Sequence, residues 1–357
     1  MRESIDDVRK RIEKIDYEIL RMMANRTAAA VEMGKMKASE SIPLRAPAVE
    51  EQVVERYISR AREFGMSASS ASQIARLLIR ESIEQQGHIP RPSLTKRMLI
   101  IGGTGKMGRW LSDLFEARGH RIRVYDIVDS DKFPMEKDLE RGVRDAEVVI
   151  VATPISVTRK MLEKVIELRP EALVFDIASI KSPFQDVLRK GAADDLSVCS
   201  LHPMFGPETY SIIDRNVVVC NCGSTDAVDR ARKLFDGANL MEMDVEEHDP
   251  IMAYVLGLGH AINIAFFESL RASGRSFEEL SQAASTTFQR QVETARDVAS
   301  ENAWLYYEIQ KMNPYNAEAL TFLQRALEDV RSAVERADRE AFERMMGEGR
   351  EYFGGSQ

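Results

Sequence analysis

Cysteine is scarce: Cys199, Cys220 and Cys222 are the only three in 357 residues. So few, and an odd number, cannot staple a secreted scaffold, and no second cysteine or histidine pair is spaced to complete a zinc site with Cys220-Asn-Cys222. Reduced structural thiols and no metal are expected. Also missing is an uninterrupted apolar run near the roughly 20 residues that cross a bilayer. The N-terminal Met1-Arg-Glu-Ser-Ile-Asp-Asp is charged with no apolar segment behind it, so neither anchor nor secretory signal is expected, and the cytoplasm is the expected location. A basic excess is lacking too. The net charge of -8 has the wrong sign for a surface that binds phosphate backbones, which argues against a nucleic acid partner, and with no anchor no membrane partner is expected. Local basic clusters in an acidic chain point instead to small anionic ligands.

Glycine is nearly absent from residues 1–90, with only Gly34 and Gly65 before Gly87. Apolar residues there recur at helical spacing: Ile5, Val8, Ile12, Ile15, Ile19, Met22 and Met23 predict one long helix through Val31. Pro43 and Pro47 bracket its end. A second helical pattern runs from about Val49 to Phe64, Gly65 stops it, and Ser67 to Ser70 offer caps for a third helix ending near Gly87. Three such helices bury little core by themselves, so a partner is expected. His88-Ile-Pro90-Arg-Pro92 then reads as a linker, because closely spaced prolines resist helix and central strand alike.

From Arg97 the texture becomes short β-branched runs alternating with helical stretches: Met98–Ile101, Arg121–Tyr125, Glu147–Val151, Ala172–Phe175, Leu196–Leu201 and Asn216–Cys220. That alternation predicts a parallel, doubly wound α/β sheet. After about Glu246 the strand signal disappears and helical patterns run to the C-terminus. Four segments follow: a helical module at 1–90, a linker at 91–97, an α/β domain at 98–245 and an all-helical domain at 246–357.

The first α/β strand runs into Gly103-Thr-Gly105-Lys106-Met107-Gly108, with a helix behind it and Asp126 closing the next strand. The glycines permit a tight turn and close approach of backbone to a pyrophosphate, which would sit at the helix N-terminus. Asp126 could accept bonds from both ribose hydroxyls and repel a 2′-phosphate. NAD is therefore favoured over NADP, although Arg121 and Arg123 lie near; a glycine turn that binds no nucleotide is the bland alternative. Thr153-Pro154 ends the third strand, where such sheets present ligands. The fourth leads to Ser179 and Lys181, and His202 ends the fifth, before Pro203. A lone histidine is more often structural than catalytic, but one at this rim is a reasonable proton acceptor.

Asp176-Ile-Ala-Ser179-Ile-Lys181, Leu201-His-Pro-Met-Phe-Gly-Pro207 and Glu247-His248-Asp249-x-x-Met252-Ala253 are similar, in order and spacing, to prephenate dehydrogenases over residues 98 to about 350. The resemblance implies an α/β Rossmann domain with an all-α dimerisation domain. It also implies that His202 meets the C4 hydroxyl of prephenate while hydride leaves C4 for NAD and the ring carboxylate departs as carbon dioxide. Ser179 would orient His202 or that hydroxyl, and Lys181 would favour the anionic substrate. His248 and His260 also match family positions, as site-lining or interdomain residues. Arginines of the helical domain bind substrate carboxylates in this family, and Arg290 and Arg296 are the candidates here.

The N-terminal module resembles the all-helical chorismate mutases, intertwined dimers whose sites borrow an arginine from the other subunit. Val8-Arg9-Lys-Arg-Ile, Asn25-Arg26, Gly34-Lys-Met-Lys37, Pro43-Leu-Arg45, Glu50 and Glu81-Ser82-x-x-x-Gln86 carry the likeness. At 1.5 Å per residue Arg9 lies about 25 Å along the helix from Arg26, too far to share one ligand within one straight helix. By the resemblance, Arg9 of a second chain and Arg26 hold two carboxylates, Lys37 and Gln86 bond the ether oxygen, and Glu50 and Ser82 meet the substrate hydroxyl. Two positions depart from the family pattern: Ala46 stands for an aspartate and Val49 for an arginine.

Together the two halves imply a bifunctional enzyme of tyrosine synthesis, a homodimer taking chorismate through prephenate to 4-hydroxyphenylpyruvate. The alternative is an arogenate or prephenate dehydrogenase whose helical module only dimerises or regulates. Another hydride-transfer enzyme, such as an imine reductase, leaves Leu201–Pro207 unexplained.

Overall fold

The computed structural model describes residues 4–40, 42, 45–87, 89 and 95–354. Pro43 and Leu44 and most of the expected linker, including Pro90 and Pro92, lie outside these. By the density of contacts the chain forms two compact units: residues 1–179 with 186–244, and residues 180–185 with 245–357. The helical module and the sheet thus belong to one unit, and the short segment around Lys181 goes with the C-terminal helices.

The first unit opens with α1 (Ile5–Ser39). Ser4 starts it: its hydroxyl accepts from the Asp7 backbone while the Asp7 carboxylate answers at the Ser4 N–H, which satisfies two of the orphan donors of a helix start. As expected, the helix runs on beyond its apolar stripe toward Pro43, ending at Ser39 and carrying Arg9, Arg26 and Lys37. α2 (Pro47–Ala61) follows with proline in its first turn, where the missing N–H costs no bond. A short 3₁₀ turn ends at Gly65, whose φ of +67° is the left-handed stop, and α3 (Ala68–Gly87) begins where the Ser67 hydroxyl accepts from Ser70. Ile12, Ile15, Ile19 and Met22 of α1 remain exposed, an apolar stripe that α2 and α3 do not cover.

The sheet comprises β1 (Arg97–Ile101), β2 (Arg121–Tyr125), β3 (Val148–Val151), β4 (Leu173–Asp176), β5 (Val198–Pro203), β6 (Asn216–Asn221) and β7 (Asn239–Asp244), in the order β2-β1-β3-β4-β5-β6-β7. Helices α4 (Lys106–Ala117), α5 (Leu139–Asp145), α6 (Ile155–Glu167), α7 (Gln185–Ala193) and α8 (Thr225–Leu234) connect the strands. Two expectations are corrected. The sheet is not wholly parallel: β6 runs antiparallel to β5, pairing Val218 with His202, because the return from β5 is a loop rather than a crossover helix. β7 was not foreseen, since Asn239-Leu-Met-Glu-Met-Asp carries no β-branched residue and is an edge strand, exposed at most positions. The core lies between sheet and helices, where Phe115, Phe175 and Phe235 meet edge to face at about 6 Å, and Ile83 of α3 joins the same cluster.

The second unit is helical: α9 (Val245–Met252), a π-helical turn (Ala253–Leu258), α10 (Gly259–Ala272), α11 (Phe277–Gln282), α12 (Thr286–Ser300), α13 (Ala303–Met312), α14 (Asn316–Glu335) and α15 (Arg339–Tyr352). The stretch Val245–Ala272 is long and apolar enough to cross a membrane by length and mean composition, although polar residues keep it from being the uninterrupted apolar run that the sequence lacks. His260 and Asn263 are the polar residues within its uncharged part, residues 250–267, and 22 % of the apolar window is buried. His248, Asp249 and Asn263 are buried and hydrogen-bonded within this unit.

Candidate active sites

The turn after β1 is built for close approach. Gly102, not singled out from the sequence, carries the positive φ of 82°, and a Cβ there would stand 2.5 Å from the Ala152 carbonyl oxygen at the end of β3. At Gly103 a Cβ would meet both methyls of Val124 at 2.7 Å, and at Gly108 it would collide with the Gly102 backbone. Only glycine lets α4 start this close to the sheet. Gly105 caps α4 without a side-chain bond, so the first-turn N–H groups, those of Lys106 and Met107 among them, face outward with the positive end of the helix dipole. A Cβ-free cradle ending in an uncapped helix start suits a pyrophosphate.

Asp126, just past β2, accepts from the Thr104 N–H and hydroxyl at 3.0 and 2.6 Å and from the Ile127 N–H at 2.7 Å. Burial pushes its carboxyl up, but these bonds outweigh that and hold it below the ordinary value, so it is an anion across the neutral range. Arg123 is committed elsewhere, to the fully buried Glu136 at 2.9 Å. One of the two arginines that weaken the preference for NAD is thereby occupied. Thr153 is half-buried with its hydroxyl 3.0 Å from that of Thr158, and Pro154 caps α6.

Asp176 closes β4 fully buried, accepting from the Ser200 hydroxyl at 2.5 Å and the Ala178 N–H at 2.9 Å. That clamp fixes the end of β4, from which Ser179 follows, against β5, which carries His202. His202 is 3 % exposed, so it is held in one place by the strand rather than waving in solvent. The loop behind it is pinned on α4: Phe205 meets Trp110 edge to face at 5.1 Å, and the Trp110 indole N–H donates to the Thr209 carbonyl at 2.6 Å.

In the helical unit Lys181 and His248 are fully buried. Asp249, quoted in the sequence pattern but given no role there, organises them: its carboxylate accepts from the Lys181 and Ser182 N–H groups at 2.9 and 2.7 Å and lies 2.7 Å from His248 Nδ1. Burial raises its pKa, yet the bonds to His248 and Ser182 outweigh this and keep it below the ordinary value. Asn313 completes the cluster by donating to the Asp249 carbonyl at 2.8 Å. His260 stacks on Tyr306 with ring centroids 4.1 Å apart, burial pushes its pKa down, and its Nδ1 is buried without a hydrogen-bond partner among the described residues. Arg290 and Arg296 are exposed on α12, and Arg296 lies over the Phe277 ring at 5.3 Å.

In the three-helix module Arg26 of α1 reaches α3, donating to the Leu78 carbonyl at 2.6 Å and the Ser82 hydroxyl at 2.5 Å. Gln86 is one turn further along α3, 5 % exposed, with its Oε1 unpartnered among the described residues. Gly34 explains how α1 and α3 come so near: a Cβ there would lie 2.5 Å from Gln86 Cγ. Glu50, half-buried in the first turn of α2, receives two bonds from Arg45 at 2.6 and 3.3 Å and one from the Ala46 N–H at 3.1 Å. Burial pushes its carboxyl up, but Arg45, that N–H and the charge of Lys37 prevail and hold it below the ordinary value. The structure therefore gathers Arg26, Ser82 and Gln86 at the α1–α3 contact and sets Glu50 within the field of Lys37. Arg9 stands apart, exposed and paired with Asp6 at 3.3 Å. A cavity of about 510 Å³ runs along the apolar stripe of α1, lined by Ile15, Ile19, Met22 and Arg26 among others.

Residues 8–87 match the type II chorismate mutase family, residues 129–239 the nucleotide-binding domain of prephenate dehydrogenase, and residues 244–348 its dimerization domain. The glycine turn and Asp126 precede the second match, so their reading rests on their own geometry. Among curated relatives, the T-protein of Enterobacter agglomerans is 24 % identical over 97 % of this chain and 92 % of its own. The T-protein of Haemophilus influenzae is 24 % identical over 99 % of this chain and 93 % of its own. Of solved structures, prephenate dehydrogenase from A. aeolicus in complex with hydroxyphenyl propionate and NAD+ is similar in fold, with a TM-score of 0.59 and 18 % identity over 73 % of this chain and 99 % of that one.

Proposed function

Because this chain belongs to the enzymes that join a type II chorismate mutase to a prephenate dehydrogenase, we propose that it carries out two consecutive reactions of tyrosine synthesis. It rearranges chorismate to prephenate, then oxidises and decarboxylates prephenate to 4-hydroxyphenylpyruvate with NAD. The observation that carries this is the order of the three family matches along one chain, which full-length relatives share.

For the rearrangement, Arg26 and Arg9 of a second copy hold the two carboxylates in the compact conformer. Lys37 and Gln86 donate to the ether oxygen as negative charge grows on it, and Glu50 and Ser82 take the substrate hydroxyl. No acid, base or covalent intermediate is needed, so the rate comes from conformer selection and preset charge. The Arg26–Ser82 bond and the buried Gln86 support this reading, since both side chains are already placed at the α1–α3 contact.

For the oxidation, Gly103, Gly105, Gly108 and the α4 N-terminus, with Lys106 and Met107, hold the pyrophosphate, Asp126 the ribose, and Thr153-Pro154 border the nicotinamide. Bound NAD supplies the acceptor for the hydride that leaves C4. His202 takes the proton of the C4 hydroxyl, aided by Ser179, and the ring carboxylate leaves as carbon dioxide, its bonding electrons completing the aromatic ring. Lys181, His248 and His260 are proposed to line the anion's site, and one of Arg290 and Arg296 to bind its carboxylate. The exposed stripe on α1 and the dimerization-domain match support a homodimer. Because the NADH formed must be reoxidised by other enzymes drawing on the same pool, the proposed location is the cytoplasm.

A coupled assay tests the reading: purified protein with chorismate and NAD, followed by NADH absorbance, beside the same protein given prephenate. NADH from both substrates is expected. NADH from prephenate alone would reduce the helical module to a structural element, and NADH only from arogenate would move the second substrate to the amino analogue.

A further inference from the structure

The two departures in the mutase module leave Glu50 without its expected neighbours: the Ala46 side chain has no oxygen to accept a bond and Val49 carries no charge. In their place stands Arg45. Its guanidinium fork grips Glu50 with Nη2 at 2.6 Å and Nε at 3.3 Å, while its Nη1 turns the other way, donating to the Asp214 carboxylate at 2.7 Å and the Asn239 amide oxygen at 3.0 Å. Asp214 and Asn239 belong to the nucleotide-binding domain, in the loop before β6 and at the start of β7. They are themselves fixed: Asp214 sits at a φ of +58°, its N–H bonds the Gly237 carbonyl, and Asn239 Nδ2 donates to the Asp214 carbonyl at 3.1 Å. Arg80 of α3 approaches the same carboxylate at 3.9 Å.

We propose that Arg45 is a positioning residue of the mutase site, aimed at Glu50 by Asp214 and Asn239, so that the site of the first reaction is completed by the domain that serves the second. This rests on the mutase reading above. A carboxylate that must accept from a substrate hydroxyl needs both a fixed orientation and an ionised state. A two-pronged guanidinium supplies both, provided its own far end cannot swing away. The charged groups facing Glu50 are Arg45 from the preceding loop and Lys37 from α1, with Asp214 and Arg80 behind Arg45. The amide oxygen of Asn239 and the carboxylate of Asp214 are what tether the fork. The mutase module is thus not an independent passenger: the arginine that sets its carboxylate is tethered by residues 169 and 194 positions away in sequence.

The experiment uses the full-length protein and reads chorismate loss and prephenate oxidation separately. Arg45→Ala and the pair Asp214→Asn with Asn239→Ala are expected to lower mutase kcat about tenfold or more, in line with the cost of misplacing a catalytic group by about 1 Å. The acid limb of mutase kcat/KM should move to higher pH, because burial of Glu50 is no longer offset. Arg45→Lys, which keeps the charge and loses the fork, should not restore kcat. Asparagine tolerates the left-handed backbone at 214, and prephenate oxidation within twofold of wild type would show the domain intact; if Arg45→Ala fails to fold, the 214/239 pair carries the test. Mutase kcat and acid limb unchanged in the pair would overturn the proposal alone. A wild-type protein that leaves chorismate untouched would overturn the mutase reading and this proposal with it.

Discussion

Single side chains divide here into those whose chemistry is spent on structure and those proposed to react. Asp176, Glu136 and Asp249 are buried carboxylates, and each spends its oxygens on backbone or side-chain donors, as burial of charge demands. His202 is equally buried but stands at the end of a strand, behind a loop pinned by Trp110. Its sequence motif is what singled it out, and its burial supports the proposed role, since a proton acceptor held rigid loses nothing to reorientation. Replacing it by asparagine, which keeps a donor and an acceptor but cannot take a proton, should cut kcat for prephenate by about 10²–10⁴-fold. Mutase turnover by the same variant should stay at the wild-type rate; a loss of both activities would show that His202 holds the fold instead.

At the level of helices and strands, close approach is the recurrent theme. α4 meets β1 through Gly108, and α1 meets α3 through Gly34. For Gly34→Ala two effects compete: the exchange gains about 1 kcal/mol of helix propensity in α1. Against it, a Cβ 2.5 Å from Gln86 Cγ and 2.7 Å from Ile89 Cδ1 must push two side chains aside, a strain of about 1–3 kcal/mol. Strain prevails, so thermal unfolding should come slightly earlier, and because the displaced side chain is Gln86, mutase kcat should fall at least tenfold, as small misplacements do. A variant more stable than wild type with full mutase activity would show that the helices can part freely. The glycines of the nucleotide turn were legible from their spacing, yet the position under real backbone strain, Gly102, was not among those read. The motif records which residues approach the ligand, whereas Gly102 is required by the neighbouring strand β3, which no local pattern reveals.

At the level of the whole molecule, the exposed stripe of α1 and the isolated Arg9 both call for a second copy. If each mutase site takes Arg26 from one chain and Arg9 from another, Arg9→Ala and Arg26→Ala proteins are each inactive as mutases. Unfolded together and refolded as a mixture, they should regain roughly a quarter of wild-type mutase activity, because random pairing into two-fold dimers makes half of them mixed and each mixed dimer holds one intact site. No recovery would mean that one chain supplies both arginines. Prephenate oxidation in the same mixture is expected at the wild-type level and reports that refolding succeeded.

The sequence by itself determined the kinds of element, their order, the nucleotide turn, and the polar positions of both proposed sites, because helix periodicity, caps and glycine spacing are local in chain distance. It also carried the likeness to two enzyme families, confirmed by the matches along the chain. Only the tertiary structure decided what arises between residues far apart: the antiparallel turn of β6 against β5, the edge strand β7, the capture of Lys181 by the helical unit through Asp249, and the grip of Arg45 on Glu50 from Asp214 and Asn239. Each is a pairing of hydrogen-bond donors with acceptors more than a dozen residues away in the chain. Which partner a buried polar group finds is fixed by packing, and packing has no period to read.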